Sequence, residues 1–329
     1  MTLERSLGEH FIIGFPGKKP SKEFLAFLEE ASIGGVILFA ENIASPKQLR
    51  ELTTELQDAV GRTLLIAIDH EGGRVFRCPK PFTHFPPMAE VSKAAQKEGK
   101  GLVFEIGKTM ATELRASGVN WNLAPVLDVA TNPFNPVIGD RSLSSNPQVV
   151  ADLGCEFIRG LEAGGIMSCG KHFPGHGDTD LDSHLDLPQL PHTRKRFDAC
   201  EFIPFRAAIA AGVPAIMTAH LRVPLLDPVN PATISTSILT GILRNELGFD
   251  GVIVSDDLEM KGIANLMPIP EAGLRSLVAG CDMVILRRDL TIQQQLVQLL
   301  HDAVDRGVIP KPQLDASYQR IARAKGRYL

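Results

Sequence analysis

Eight short apolar segments recur along this chain, and each is followed by a longer segment whose apolar residues lie three and four positions apart. The short segments are apolar or rich in β-branched residues, which predicts strands, and the longer spacing predicts helices. The predicted strands are His10–Phe15, Gly35–Phe39, Leu64–Asp69, Val119–Ala124, Ile166–Gly170, Ala215–Thr218, Val252–Ser255 and Met283–Leu286. Several are apolar throughout, which is typical of a parallel sheet that helices cover.

The predicted helices follow the strands one by one. They are Ser21–Ala31, Pro46–Val60, Lys100–Ser117, Pro147–Ala163, Asp198–Ala211, Ser237–Leu247, Pro270–Ala279 and Thr291–Asp305. Eight such βα units predict an α/β protein with a (β/α)8 TIM-type barrel. An open doubly wound sheet is the alternative, but a dinucleotide-binding sheet needs a glycine-rich turn after its first strand, and the turn GFPGKKP lacks GxGxxG.

The βα rhythm is not interrupted by a linker or a low-complexity tract. We therefore expect one catalytic barrel domain over residues 1–329 and no second domain. The last segment, Gln313–Leu329, has helical spacing with basic residues on its outer face. We interpret it as a helix that packs against the barrel or caps it.

The charge balance argues against two classes of partner. The chain has 329 residues, with 34 basic and 38 acidic side chains and a formal charge of −4. Charges of both signs are interspersed, so we expect no nucleic-acid partner and no membrane partner. Five scattered cysteines without a CxxC pair predict buried thiols rather than disulfides or a zinc site. With no signal peptide and no apolar span of about 20 residues, we expect a cytoplasmic protein.

Polar side chains cluster at the predicted carboxyl ends of several strands. The third strand ends in DHEGGR, the fifth is followed by KHFPGHGD, the sixth ends in TAH, and the seventh in SDD. Catalytic groups of a TIM barrel come from this end of the strands and from the loops that follow. The sequence therefore predicts an active site at this rim.

The segment KHFPGHGDTDLDSH holds a lysine, three histidines and three aspartates among turn-forming residues. Lys171 and His172 come directly after the predicted strand and should be rigid, whereas Gly175 and Gly177 should permit motion of the loop beyond them. His176 has two interpretations, one in the chemistry and one in holding the shape of the loop. The residues most suited to proton transfer come last in the segment.

Asp182 stands two residues before His184. At this spacing a carboxylate can fix the tautomer of the imidazole, which suits a histidine that transfers a proton near neutral pH. Asp182 could also cap a turn without any catalytic role.

Asp256 and Asp257 end the seventh predicted strand. Neighbouring side chains of a strand point to opposite faces, so we expect one of the two to enter the barrel mouth and the other to cap a turn or pair with a base. Three arginines, Arg74, Arg77 and Arg141, are further candidates, because a guanidinium suits sugar hydroxyls or a carboxylate. Each of them is a weak signal alone.

The motifs KHFPGHGDTDLDSHLDLP, DHEGGRVFR and GVIVSDDLEMKGI together resemble glycoside hydrolase family 3, in its β-N-acetylglucosaminidase branch of bacterial cell-wall recycling. The resemblance implies a retaining exo-enzyme that removes terminal, non-reducing N-acetylglucosamine from peptidoglycan-derived fragments through a covalent glycosyl-enzyme. It implies no cofactor and no metal. Its expected partner is an oligosaccharide or small molecule that contains N-acetylglucosamine.

The resemblance also implies roles for individual residues. Asp256 matches the nucleophile, His184 the acid/base and Asp182 the partner of that histidine. The positions that match the binding site of the terminal sugar are Asp69, Arg77, Arg141, Lys171 and His172, and His220 and Met260 fall near the pocket. A neutral imidazole adds no like charge beside an anionic acceptor, so phosphate stays open as an alternative to water.

Two other functions remain open. A metal-dependent barrel hydrolase could draw ligands from His70, His172, His176, His184 and His220, although the sequence has no HExxH. A non-catalytic sugar-binding protein is the third hypothesis, and the presence of Asp256, Asp182 and His184 together argues against it.

Overall fold

Eight parallel strands form one sheet in this computed structural model, which describes residues 7–183 and 185–329. Their order in the sheet is β4, β3, β2, β1, β8, β7, β6, β5. The strands are β1 (Phe11–Ile13), β2 (Gly35–Leu38), β3 (Leu65–Ile68), β4 (Trp121–Asn122), β5 (Gly170–Phe173), β6 (Ala215–Thr218), β7 (Val252–Asp257) and β8 (Met283–Leu286).

The two edges of this sheet meet and close it. Parallel bridges join Trp121 to Met167 and Val126 to Lys171. The amide of Asn122 donates to the carbonyl of Met167 at 2.9 Å, and the amide of Leu127 donates to the carbonyl of Lys171 at 2.6 Å. The predicted (β/α)8 barrel is therefore confirmed, and the open doubly wound alternative was wrong.

Helices surround the barrel between successive strands. They are α1 (Lys22–Glu30), α2 (Pro46–Val60), α3 (Met88–Glu98), α4 (Gly101–Ala116), α5 (Pro147–Ala163), α6 (Arg194–Ala199), α7 (Phe202–Ala210), α8 (Ser237–Glu246, of π type), α9 (Lys261–Ala264), α10 (Ile269–Ala279), α11 (Leu290–Asp305) and α12 (Lys311–Tyr328). The predicted helix Asp198–Ala211 is instead two helices that meet near Cys200. Helix α3 was not predicted.

Two strand boundaries matter for the site. Strand β5 covers 170–173 rather than the predicted 166–170, so Lys171 and His172 belong to the strand itself. A strand accepts these polar side chains in its buried stretch because acidic residues elsewhere in the chain pair with them. Strand β7 runs on to Asp257, so both of its acidic residues are held by the sheet rather than by a loop.

The amino end of the barrel is closed by helix α12. Its residues Ile321, Ala324 and Tyr328 pack into the apolar cluster that fills the barrel, together with Trp121 and Met217. The predicted packing or capping role of the terminal segment is confirmed. The five cysteines are free and buried, as predicted. Within residues 7–183 and 185–329, no helix is long and apolar enough to cross a bilayer.

Candidate active site

A cavity opens at the carboxyl ends of the strands and has two adjoining parts. The inner compartment has a volume of about 100 Å³ and the outer compartment about 520 Å³. Asp69, Arg77 and Asp256 line both. The inner compartment is also lined by Glu71, Val75, Val137, Ile138, Arg141, Lys171, His172, His176 and Ser183. The outer compartment is also lined by Ile37, Phe39, Ala40, Glu41, Leu123, Met217, Asp257, Glu259, Met260, Lys261, Ile285, Arg287 and Arg288.

A network of four charged side chains forms one wall of the inner compartment. Lys171 Nζ lies 2.6 Å from Asp69 Oδ1 and 2.7 Å from Glu71 Oε1. Arg141 donates twice to the Glu71 carboxylate, each bond being 2.8 Å long. Two acidic and two basic groups thus balance one another in a buried place, where an isolated charge would be costly.

The pKa values of this network follow from that pairing. Burial alone would raise the pKa of Glu71, but Arg141 and Lys171 hold it well below its ordinary value. Burial alone would lower the pKa of Lys171, but Asp69 and Glu71 raise it. Glu71 and Lys171 therefore stay charged at neutral pH and present fixed hydrogen-bonding groups beside the cavity.

Asp128 organises the end of β5 and the start of the loop behind it. Its Oδ1 accepts hydrogen bonds from the amides of His172 and His176, at 3.1 and 2.7 Å, and its Oδ2 lies 2.7 Å from His172 Nδ1. Asp128 is completely buried. A carboxylate in this position fixes the tautomer and orientation of the His172 ring, which leaves Nε2 as its other hydrogen-bonding atom.

Asp256 and Asp257, the last two residues of β7, make different contacts. Asp256 lines both compartments, and its Oδ1 accepts the amide of Asp257 at 2.8 Å. Asp257 Oδ1 accepts the amide of Glu259 at 3.0 Å, so Asp257 caps the turn after β7, as expected for one of the two. Asp257 also lines the outer compartment, which was not expected. Burial, with Glu259 and Asp256 nearby, raises the pKa of Asp257 to about 7.

The loop after β5 is held by close packing and by hydrogen bonds. A Cβ at Gly177 would lie 1.9 Å from the carbonyl oxygen of Val129, so this glycine is required by a close approach of two backbone segments. His176 is buried, with Nδ1 2.7 Å from Thr179 Oγ1 and Nε2 2.9 Å from Ser183 Oγ. These contacts favour the interpretation that His176 holds the loop's shape. Motion of the loop stays a prediction.

Asp182 stands at the far end of that loop, two residues before His184 in the sequence. The carbonyl of Asp182 accepts the amide of Leu185 at 2.9 Å, and the carbonyl of Ser183 accepts the amide of Gly262 at 3.0 Å. Asp182 and Ser183 are thus held close to the start of α9, beside the end of β7. His184 itself lies outside the described residues, so its predicted role as acid/base stays a prediction.

Comparison with known proteins gives this barrel a family. The chain matches the glycosyl hydrolase family 3 N terminal domain over residues 2–324. It belongs to glycosyl hydrolase family 3. The predicted family is confirmed by this match and by relatives whose sequences are more than 30% identical over most of the chain.

Three relatives show how far the similarity extends. Beta-hexosaminidase A of Pseudoalteromonas piscicida is 36% identical over 99% of this chain and 61% of that protein. The structure of a family 3 β-N-acetylglucosaminidase from Paenibacillus sp. str. FPU-7 matches with a TM-score of 0.96 and 40% identity, over 100% of this chain and 63% of that chain. NagZ from Neisseria gonorrhoeae, in complex with N-trifluoroacetyl-D-glucosamine, matches with a TM-score of 0.80 and 33% identity, over 96% and 98%. The chain therefore spans less than two thirds of the first two relatives.

Most of the predicted site residues of this family 3 chain come together at the cavity. They are Asp69, Arg77, Arg141, Lys171, His172 and Asp256, with Met260 in the outer compartment. His220 is buried beside the site, where its Nε2 donates to the carbonyl of Asp257 at 2.9 Å. Arg74 lines neither compartment; it donates to the carbonyl of Val137 and pairs with Asp140.

Two residues of the site were missed from the sequence. Glu71 lies inside DHEGGR but was not singled out, and Asp128 follows β4 in a segment that looks apolar. A signal was available for each, because an acidic residue at the carboxyl end of a barrel strand is itself a candidate. Within the described part of the chain, no group of three or more His, Cys, Asp and Glu residues is arranged to hold a metal ion.

Proposed function

We propose that the protein is a β-N-acetylhexosaminidase that removes terminal, non-reducing N-acetylglucosamine from saccharides such as peptidoglycan-derived fragments. The observation that carries this proposal is the position of Asp256, at the junction of the two compartments and next to the charged network. The names of family relatives, beta-hexosaminidase and β-N-acetylglucosaminidase, support the same activity.

The inner compartment suits the terminal sugar. Its lining combines acceptors on Asp69 and Glu71 with donors on Lys171 and Arg141, all fixed by their mutual hydrogen bonds. Fixed groups of this kind bind sugar hydroxyls without first having to be ordered. Most of its lining residues are buried, so a saccharide can extend only toward the outer compartment, which fits removal of one sugar from a chain end.

The proposed reaction has two steps. In the first, a carboxylate oxygen of Asp256 attacks the anomeric carbon while the bond to the leaving oxygen breaks, and His184 gives that oxygen its proton. In the second, a water molecule attacks the same carbon, His184 takes the proton of the water, and the bond to Asp256 breaks. Two inversions give net retention of configuration. Asp182 is proposed to orient the His184 ring.

Asp257 supports the nucleophile through its protonation. With a pKa raised to about 7, chiefly by burial, Asp257 is largely protonated in mildly acidic solution. It then places no second negative charge beside Asp256, the proposed nucleophile.

The test of this function is the stereochemistry of hydrolysis. An aryl β-N-acetylglucosaminide is incubated with the protein, and proton NMR follows the anomer of N-acetylglucosamine that forms first. The β anomer, formed before mutarotation, is the expected product, and Asp256→Asn should form none. Release of the α anomer would exclude a covalent intermediate, and no release would exclude the activity.

We also propose a cytoplasmic location. All five cysteines are free and buried, which suits a reducing compartment. Fractionation of cells that express the protein tests this location, and recovery outside the cytoplasm would contradict it.

A further inference from the structure

One side chain of the outer compartment is left with unused hydrogen-bonding capacity. Arg287 follows β8 and lines this compartment. Its Nε is buried and has no hydrogen-bond partner among the residues that the structure describes. The nearest carboxylate oxygen paired with it, Oε1 of Glu41, is 3.9 Å from its guanidinium, beyond hydrogen-bond distance. A buried donor without a partner, such as this Nε–H, is unfavourable.

The carboxylate of Glu41 is already engaged by a neighbouring side chain. Arg288 donates to Glu41 Oε1 at 2.6 Å. Glu259 is also occupied, because its Oε1 accepts the amide of Arg288 at 2.8 Å. Oε1 of both glutamates is therefore bound by Arg288. Asp257 also lines this compartment, and the charge of Arg287 acts against the effect of burial on the pKa of Asp257.

Phe39 holds the guanidinium of Arg287 in place. The Arg287 Cζ lies 4.2 Å from the centre of the Phe39 ring, within the range of a cation–π contact. Arg77 approaches the same ring at 5.9 Å. Stacking restricts the guanidinium plane, and the Arg287 side chain, which is 35% exposed, lines the outer compartment, so little side-chain freedom is lost when a ligand binds there.

The leaving group of the proposed reaction has to occupy this compartment. The inner compartment ends against the buried Glu71, Lys171 and Ile138, whereas the outer compartment opens past Glu41, Arg287 and Arg288, which are partly or fully exposed. Since Asp256 lines both parts, the bond that breaks lies near their junction. The rest of the substrate then lies on the side of Arg287.

We infer that Arg287, stacked on Phe39, forms a subsite for a carboxylate on the leaving group of the substrate. This inference rests on the proposed hydrolase function and goes beyond it by naming a chemical class for the leaving group. A planar carboxylate matches the edge of one guanidinium. A singly charged group also suits a rim that holds Glu41 and Glu259, which would repel a doubly charged phosphate more strongly.

A matched pair of substrates tests the subsite. The 4-carboxyphenyl and 4-carbamoylphenyl β-N-acetylglucosaminides have the same shape and differ in the charge of the leaving group. For each enzyme, the ratio of the two kcat/KM values is measured, so the intrinsic difference in leaving-group reactivity cancels between enzymes. Arg287→Gln should lower the ratio, carboxylate over amide, by about 10-fold or more, because a charge-assisted bond is lost. The ratio of the unaltered enzyme should also fall as salt is added.

A second variant changes the ratio in the opposite direction. Glu41→Gln removes the negative charge that competes for the arginines, and the ratio should rise by about 2- to 5-fold. The control is Arg275→Gln, since Arg275 is an exposed arginine on α10 that pairs only with Glu271 among the described residues, and the ratio should stay unchanged. An unchanged ratio in Arg287→Gln would overturn the subsite while leaving the hydrolase function intact. Hydrolysis of neither glycoside would overturn the hydrolase function and the subsite with it.

Discussion

Buried charges occur at both ends of this barrel, but they are arranged differently. At the amino end, the fully buried Asp282 is paired with Arg244 at 2.8 Å and with Arg320 at 2.8 Å, and it also accepts the amide of Ile253. At the carboxyl end, Asp69, Glu71, Lys171 and Arg141 pair with one another beside a cavity. The first cluster joins α8 and α12 to the sheet, and the second forms the wall of a site.

The comparison teaches that a buried ion pair does not by itself mark a functional site. Both clusters satisfy their charges, and both lower the cost of burying them. The cluster at the carboxyl end differs because a candidate nucleophile, Asp256, lines the same cavity. The two ends should therefore respond to mutation in different ways: loss of a partner should lower the stability at both ends, but only at the carboxyl end should it also change turnover.

The largest expected effect is at Asp256. Asp256→Asn should lower kcat by about 10³-fold or more while leaving the melting temperature nearly unchanged, because the nucleophile is lost and the shape is kept. Azide can take the place of the missing carboxylate, so its addition should restore turnover of an activated substrate and yield the α-glycosyl azide. Full activity of Asp256→Asn would exclude Asp256 as the nucleophile.

The second effect concerns His184 and depends on the leaving group. His184→Ala should slow substrates with poor leaving groups by about 10²-fold or more and activated phenyl glycosides far less, because a good leaving group needs little protonation. Asp182→Ala should show the same pattern in weaker form, since the histidine is kept but misoriented. A kinetic series across leaving groups checks both. If His184→Ala slows all substrates by one factor, His184 is not the general acid and His176 becomes the candidate.

The third prediction compares the two ends directly. Lys171→Ala should raise KM for an aryl N-acetylglucosaminide by about 10-fold or more. The site loses one hydrogen-bond donor for the sugar hydroxyls, and the carboxylates of Asp69 and Glu71 lose the group that holds them in position. Arg244→Met, at the amino end, should leave KM within about twofold but lower the free energy of unfolding by about 3–5 kcal/mol, because Asp282 loses a buried partner. Steady-state kinetics and urea titration give both quantities. A raised KM in Arg244→Met would erase the distinction between the two ends.

Part of this distinction was accessible from the sequence. The βα rhythm predicts the barrel, and the acidic pair after GVIVS predicts a reactive carboxylate at the rim. The position of β5 could not be predicted in the same way, because Lys171 is acceptable in a buried strand only through Asp69, which is 102 residues away in the chain. Pairing between remote residues leaves no local pattern.

Arg287 is a second residue whose role could not be predicted from the sequence. In the sequence it is one of two adjacent arginines after β8, with nothing to set it apart. Only the structure shows that Glu41 bonds to Arg288 at 2.6 Å while lying 3.9 Å from Arg287. Asp128 differs from Arg287, because as an acidic residue after β4 it carried a local signal, although its contacts to β5 and to the loop behind it are visible only in the structure.

The smallest expected effect is on acid stability near the site. His70 is buried against Phe76 and Phe82, without a hydrogen bond to either ring nitrogen within the described structure, and burial lowers its pKa to about 4. The unfolded chain binds the proton near the ordinary value of 6.5, so this histidine lowers the stability as pH falls from about 6.5 to 4.

His70→Leu should therefore flatten the loss of stability over that pH range, as measured by the melting temperature. The control is Gln294→Leu, at an exposed position of α11 without a titratable group, which should leave the pH dependence as it is. An unchanged pH dependence in His70→Leu would assign the acid sensitivity to other groups, among them His176, whose pKa burial also lowers to about 4.

The most direct test of the whole mechanism is to trap the covalent intermediate. A 5-fluoro N-acetylglucosaminyl donor with a good leaving group should form the glycosyl-enzyme rapidly and release it slowly. Peptide mass spectrometry should then find the fluorosugar on Asp256. Attachment to Asp257, or to a residue outside the carboxyl end of the barrel, would contradict the proposed nucleophile, and rapid turnover without any labelled peptide would contradict a covalent mechanism.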